Sequence, residues 1–320
     1  MAFPEPDVTV VSGRKACAEA LRNLSSNPSP EPQTANLLFM DGQAHSRLRM
    51  VVRRIIAGLE PLSGPLLGQI ESLVAELAER DEFDLAADFA RPVAAAVMAA
   101  LLGARQPITG AVLADIEAVT SNLDVWFGTA GADTAAFRLA TFFVRAEPVP
   151  GGGLSVLREA ATTGEITGDQ ALVTPVMLAH AAYENSLNFL ALAGLRLATD
   201  AELATGLRKT PPMPIVRRLA DEIAPARLVM RRAAEPTELP GLAVPAGRKV
   251  AVRLGPGMGP AFGLGPHACP GTAIALAEAE TALPALARAL SGEHTVQDVR
   301  WKGHPVFHGL ERAVVVQRGQ

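Results

Sequence analysis

The chain has 320 residues and 49% of them are hydrophobic, which supplies a sizeable core and excludes a disordered or fibrous protein. Charged residues make up 19% and the net charge is -4, so there is no basic excess to neutralise the phosphates of a nucleic acid. Two cysteines set far apart, Cys17 and Cys269, point to an intracellular chain without disulfides.

The opening segment MAFPEPDVTVV is too short and too broken by proline for a signal peptide, so a cytoplasmic location is expected. Residues 8–12 form a β-branched run, and 14–24 place Ala16, Ala20, Leu21 and Leu24 near one face: a strand, then a helix. A Pro/Ser loop at 25–36 precedes two amphipathic helices at 44–59 and 63–80, separated by Pro61. Asp84 can cap a start at FDLAADF, and 92–103 runs from a first-turn proline to a terminal glycine, as a buried helix does. Helices continue through 110–147, and PVPGGG at 148–153 reads as a flexible hinge. The longest helical pattern, 168–199, is apolar nearly all round and therefore central, with Pro175 kinking its start. Its apolar stretch is interrupted by His180, Glu184, Asn185 and Asn188, short of the roughly 18 apolar residues of a membrane span. After a helix at 211–223 comes a β-rich tract at 227–254, then a Gly/Pro loop at 255–271, a helix at 272–290 and a terminal hairpin at 295–317. No repeat or composition break divides the chain. The expected fold class is mainly α with a small β region, in a single domain over 1–320.

The most informative segment is AFGLGPHACPGTAIALAEAE, where Phe262, Gly263, Gly265, His267, Cys269 and Gly271 crowd into a loop that feeds a helix. Glycines let a backbone turn tightly beside a flat molecule, and a cysteine just before a helix N-terminus is favoured as thiolate. This segment resembles the heme-binding loop of the cytochrome P450 family, F-G-x-G-x-H-x-C-x-G followed by A-x-x-E, here Ala275 and Glu278. The resemblance implies heme b as cofactor, with Cys269 as the ligand of its iron and Phe262, His267 and Gly271 around it. MDGQAHSRLRMVVRRI is similar to a second contact segment, in which His45 and Arg49 would hold a heme propionate; their i, i+4 spacing brings both to one carboxylate. The resemblance puts Arg231 in LVMRRAAEPTEL at a further propionate position, with Arg232 its adjacent competitor, and His267 at the fourth. FDLAADFARPVAAAVMAALLG and WKGHPVFHGLERAVVV also resemble family segments and carry fold rather than chemistry.

The helix at 168–199 resembles the family's distal helix, whose A-G-x-[DE]-T core becomes Ala181, Ala182, Tyr183, Glu184 and Asn185. The acid is kept, but an amide replaces the threonine, and an amide is a poor proton relay. His180, with Met177 and Ala181, falls where the family contacts substrate, so His180, Glu184 and Asn185 are the candidate catalytic residues, with His180 and Asn185 expected to face the distal pocket and Glu184 to point away. Three departures stand out. The chain starts near the family's second helix, without the usual N-terminal cover. In place of E-x-x-R it has Arg218 and Asp221, a charge-swapped pair that could bridge at i, i+3. RLGPGMGPAFGLG replaces the long segment that precedes the cysteine loop in the family, on the surface where redox proteins dock.

These features imply a heme-thiolate enzyme acting on a small or medium organic molecule in bacterial specialised biosynthesis. The chemistry is oxidative (hydroxylation, coupling or desaturation) or redox-neutral (cyclisation, dehydration or isomerisation). A non-catalytic auxiliary protein of the same fold is the rival, against which the retained Cys269, His45, Arg49 and Arg231 argue. The implied partners are a small-molecule substrate, a ferredoxin-type electron donor or none, and a second copy that buries an uncovered apolar patch; neither nucleic acid nor membrane is expected.

Overall fold

The computed structural model describes residues 8–120, 133–209, 211–304 and 306–317; the proline-rich start and the middle of the 110–147 tract lie outside the described residues. A strand, β1 (Val8–Val11), and a helix, α1 (Arg14–Asn23), stand where periodicity places them, and α1 buries Cys17, Ala20 and Leu21. Helices α2 (Gly42–Leu59) and α3 (Gly64–Ala75) follow, the second opened by the Ser63 hydroxyl accepting from the Leu66 N–H. Strand β2 (Glu82–Asp84) ends at Asp84, whose carboxylate accepts the Ala86 and Ala87 N–H groups at 2.7 and 3.0 Å. A wide π-type turn then leads into α4 (Arg91–Leu102), which stops at Gly103 in the left-handed region, φ 63°. By length and hydropathy Leu85–Leu102 could cross a membrane, yet more than half of it is buried, against α3 and the central helix.

Helices α5 (Gly110–Thr120), α6 (Asp133–Arg145) and α7 (Gly153–Thr162) surround α8 (Gly168–Thr199), a 32-residue helix opened by a Thr167/Gln170 capping box and carrying Pro175 inside it. Twenty of its side chains are buried, which is why the sequence shows no clean polar stripe. Two shorter helices, α9 (Ala201–Lys209) and α10 (Met213–Ile223), lead to the β-rich part. There β3 (Leu228–Arg232), β4 (Thr237–Leu239), β5 (Leu242–Val244) and β6 (Lys249–Arg253) form a sheet of order β1-β6-β3 and a separate β4-β5 hairpin. Strand β1 runs parallel to β6, so the start of the described chain is built into the β region. The last helix, α11 (Thr272–Ala289), precedes a hairpin of β7 (His294–Trp301) and β8 (Leu310–Gln317). Strand β2 adds to that hairpin along β8, so Asp84 is at once the end of a strand and a cap.

The segment read as a flexible hinge is a close backbone crossing. Gly103 and Gly152 meet so tightly that a Cβ on Gly103 would stand 2.8 Å from the Gly152 Cα. Val149 N–H donates to the Gly103 carbonyl at 2.7 Å, and Arg105 N–H to that of Glu147 at 2.9 Å. Glycine here serves proximity, not mobility, and a sequence alone does not distinguish the two.

Gly103→Ala, which combines positive φ with that clash, should destabilise by about 1–3 kcal/mol. Gly68→Ala, in mid-helix with open space around its Cβ, should stabilise by about 0.5–1 kcal/mol. Urea midpoints of the two variants test the pair.

Candidate active site

The cysteine loop is shaped by its own backbone. Gly263 and Gly265 have φ of 69° and 76°, and a Cβ on Gly265 would stand 3.2 Å from the Arg22 Cα and the Leu21 carbonyl, so the loop lies against α1. Cys269 N–H donates to the Phe262 carbonyl at 2.7 Å, closing the loop, while Phe262 packs on the main core. Cys269 has protein atoms on its loop side, yet its surface is open to solvent. A Cβ on Gly271 would stand 4.0 Å from the Cys269 Sγ, so glycine leaves that approach clear. Burial raises the Cys269 thiol, against the Gly271 backbone, the Thr272 side chain and the Arg49 charge. A coordinated cation would favour the thiolate.

Arg49 reaches from α2 to donate to the carbonyl of Ala268, next to the cysteine. His45, one turn earlier, is buried, and its ring lies 4.2 Å from that of His267, centroid to centroid. His267 Nε2 is 3.1 Å from Asp41 Oδ1, and the Ser25 hydroxyl donates to the other oxygen. Burial opposes ionisation of Asp41, but hydrogen bonds from His267, Ser25 and the Ser26 amide together hold it well below the usual carboxylate range. Burial, then the nearby His267 and Arg49 charges, pushes His45 down to about 4, so it is neutral at pH 7. Arg231, on β3, is buried and lowered by that burial to about 10, with the Asp41 charge opposing the shift. Its Nη1 donates to the Met230 carbonyl at 2.8 Å. The structure thus gathers all four residues expected to hold a propionate and adds Asp41, four residues before His45 and missed because acids at a helix start usually serve the dipole. Among the described residues His45 Nε2 and Arg231 Nε are buried without a protein partner. Such atoms in a cationic cluster suit an acidic group from a bound molecule, and the set fits heme.

On α8 the faces divide differently from expectation. Ala181, Ala182 and Asn185 keep partial exposure, and the Asn185 amide donates to the Ala181 carbonyl at 3.1 Å. His180 lies about 140° around the axis from Asn185 and is enclosed instead. Its Nδ1 is 2.9 Å from the Thr120 hydroxyl of α5, and its ring meets Phe307 edge-on at 5.8 Å. Burial lowers His180 to about 4 despite the Glu184 charge, so it is a neutral, hydrogen-bonded core histidine. Met177 is also buried, and Glu184 points into protein toward Lys302. Ser186 donates to Glu278 of α11, whose carboxyl is pushed by burial up to about 7.

No family model matches the chain. It is 26% identical over 335 residues to cytochrome P450 107B1 of Saccharopolyspora erythraea, covering 94% of this chain and 81% of that one. It is 22% identical over 310 residues to the biotin biosynthesis cytochrome P450 of Bacillus subtilis, covering 86% and 78%. The solved structure of P450BioI with a hexadec-9Z-enoic acid ligated acyl carrier protein superposes with a TM-score of 0.81 at 19% identity, over 97% of this chain and 92% of that one. CxnD, a P450 for C–S bond formation in chuangxinmycin biosynthesis, gives 0.82 at 22% identity, over 98% and 90%. The chain is similar in sequence to bacterial cytochromes P450 and has their fold.

Within the P450 fold the charge-swapped pair is not formed. Arg218 Nε lies 3.8 Å from Glu222 Oε1, one turn on, and Glu222 is also 3.7 Å from Arg196; Asp221 is exposed. The i, i+4 reach suits a long arginine better than i, i+3, and all four charges are at the surface.

Two measurements test the P450 site description. His45 and His180 are neutral when folded and take up protons once unfolded, so each adds stability fully above about pH 6.5 that is lost as pH falls toward 4. Unfolding free energies from urea titrations should therefore fall across this window, by up to about 1.4 kcal/mol per pH unit per histidine, and the fall should flatten in His180→Gln. Arg218→Ala and Asp221→Ala should add within about 0.5 kcal/mol in a double-mutant cycle; larger coupling would restore the swapped pair.

Proposed function

We propose that the chain is a heme-thiolate enzyme in which Cys269 ligates the iron of heme b while His45, Arg49, Arg231 and His267 hold its propionates. The observation that carries this reading is the meeting of two orphaned buried polar atoms, His45 Nε2 and Arg231 Nε, with His267, two residues from Cys269. When bound, heme with a thiolate ligand supplies oxidising power from dioxygen or peroxide. The protein's own part is placement. Arg49 braces the loop through Ala268, and Asp41 orients His267. On α8, Ala181, Ala182 and Asn185 stay partly exposed, the first two with small side chains.

The favoured activity is oxidation of a small or medium organic molecule, as hydroxylation, coupling or desaturation. The P450 relatives support the class of enzyme; their substrates are their own. A second reading, redox-neutral rearrangement, is favoured by one observation: no hydroxyl stands at position 185, and that of Ser186 is committed to Glu278. A proton relay through a threonine hydroxyl is thus absent from this position.

Cys269→Ala should abolish the thiolate-type Soret band of the reduced carbon-monoxide complex. The same band in parent and variant would refute Cys269 as ligand. Turnover with and without reductant then separates the chemistries: product formed from substrate alone, with no reductant consumed, selects the redox-neutral one.

A further inference from the structure

The phenol of Tyr183 is a buried titratable group that the heme-thiolate reading leaves unused. Tyr183 is the chain's single tyrosine, and it is fully buried on α8. Its hydroxyl donates to Glu117 Oε1 of α5 at 2.9 Å, and Arg91 Nη1, at the start of α4, donates to the same oxygen at 2.6 Å. Burial first, then the Glu117 charge, raises Tyr183 far above the usual phenol range, so it keeps its proton in the resting protein. The Glu117 side chain is 32% exposed, so the carboxylate that the buried phenol meets is itself in contact with water.

A hydrogen bond of this length is within reach for proton transfer, and it gives Tyr183 what a one-electron oxidation needs. Loss of an electron alone would leave a cation in an apolar core, which is costly, whereas loss of an electron and a proton together leaves a neutral phenoxyl. Glu117 is the acceptor at hand, and from its partly exposed side chain the proton can pass to solvent. The Arg91 side chain is 39% exposed, so water can compensate its charge once Glu117 is neutral. Two residues along an α-helix turn through about 200°, so Tyr183 lies nearly opposite Ala181 on α8. Only the thickness of that helix, about 10–12 Å with its side chains, lies between the phenol and the partly exposed Ala181 and Asn185.

We propose that Tyr183 is a redox-active residue: when hydrogen peroxide has withdrawn two electrons from the heme and no substrate returns them, Tyr183 returns one. Its O–H bond breaks, the proton bonds to Glu117, the electron passes through α8 to the heme, and a neutral phenoxyl is left in the core. The inference rests on the heme-thiolate reading for the oxidant, while the phenol–carboxylate pair stands without it.

Heme-loaded protein mixed with hydrogen peroxide, freeze-quenched and read by electron paramagnetic resonance, should show a tyrosyl radical. With one tyrosine in the chain, deuterating the tyrosine ring must narrow that signal. Tyr183→Phe should lose it, and Glu117→Gln, which still accepts a hydrogen bond but not the proton, should lower its yield by about tenfold or more. A photogenerated tris(bipyridine)ruthenium(III) oxidant, which needs no heme, should give the same radical with the same dependence on Glu117. No tyrosyl signal with either oxidant overturns the proposal, and a radical with ruthenium but none with peroxide in the heme-loaded protein overturns the transfer to heme. Equal yields in the parent and Glu117→Gln overturn the carboxylate as proton acceptor. A parent that takes up no heme and shows no Soret band rejects the heme-thiolate reading instead, and the ruthenium oxidant still decides the pair.

Discussion

One carboxylate at the rim of the site, that of Asp41, organises it. Asp41 accepts from His267 of the cysteine loop and from Ser25 and Ser26 after α1, and it opposes the charge of Arg231 on β3. Burying a guanidinium is tolerable only with an anion near it, and a single carboxylate shared with His267 is too little to satisfy every donor around it. The unmet remainder, His45 Nε2 and Arg231 Nε, defines what a ligand must bring: further acceptor oxygens at that spot. Because the three contributing segments lie far apart in the chain, their meeting ties the β-rich part to the helical part at the one place where the cofactor would bridge them.

The central helix solves a second problem, that of polar side chains inside a hydrophobic core. Three have a specific answer: His180 with Thr120, Glu184 with Asn188 and Lys302, Ser186 with Glu278. Partners come from α5, the terminal hairpin and α11, so these bonds also fix how those elements sit around α8. Ala181, Ala182 and Asn185 stay partly exposed, and the Asn185 amide bonds within its own helix.

Where local rules suffice, the chain is legible: the Gly103 stop, the Asp84 cap and the Thr167 capping box are decided within a few residues. The P450 likeness is legible for the same reason, since its densest motif is a short loop whose glycines answer to backbone geometry. The readings that changed are those in which two distant segments compete for one residue. PVPGGG is packed because Gly103 lies against it; His180 is enclosed because α5 and the hairpin loop close over it; Arg218 turns to Glu222 because that acid is within reach and Asp221 is not facing it.

The sequence by itself determined the helix-rich architecture, the cysteine loop and the identity of the residues around it, because capping, periodicity and glycine torsion act over one or two turns. Only the tertiary structure decided that Asp41 joins the cationic cluster, that His180 is neutral and covered, and that Lys302 reaches Glu184 across 118 positions. Burial and the pairing of charges depend on which elements meet, and that is a property of packing rather than of spacing along the chain.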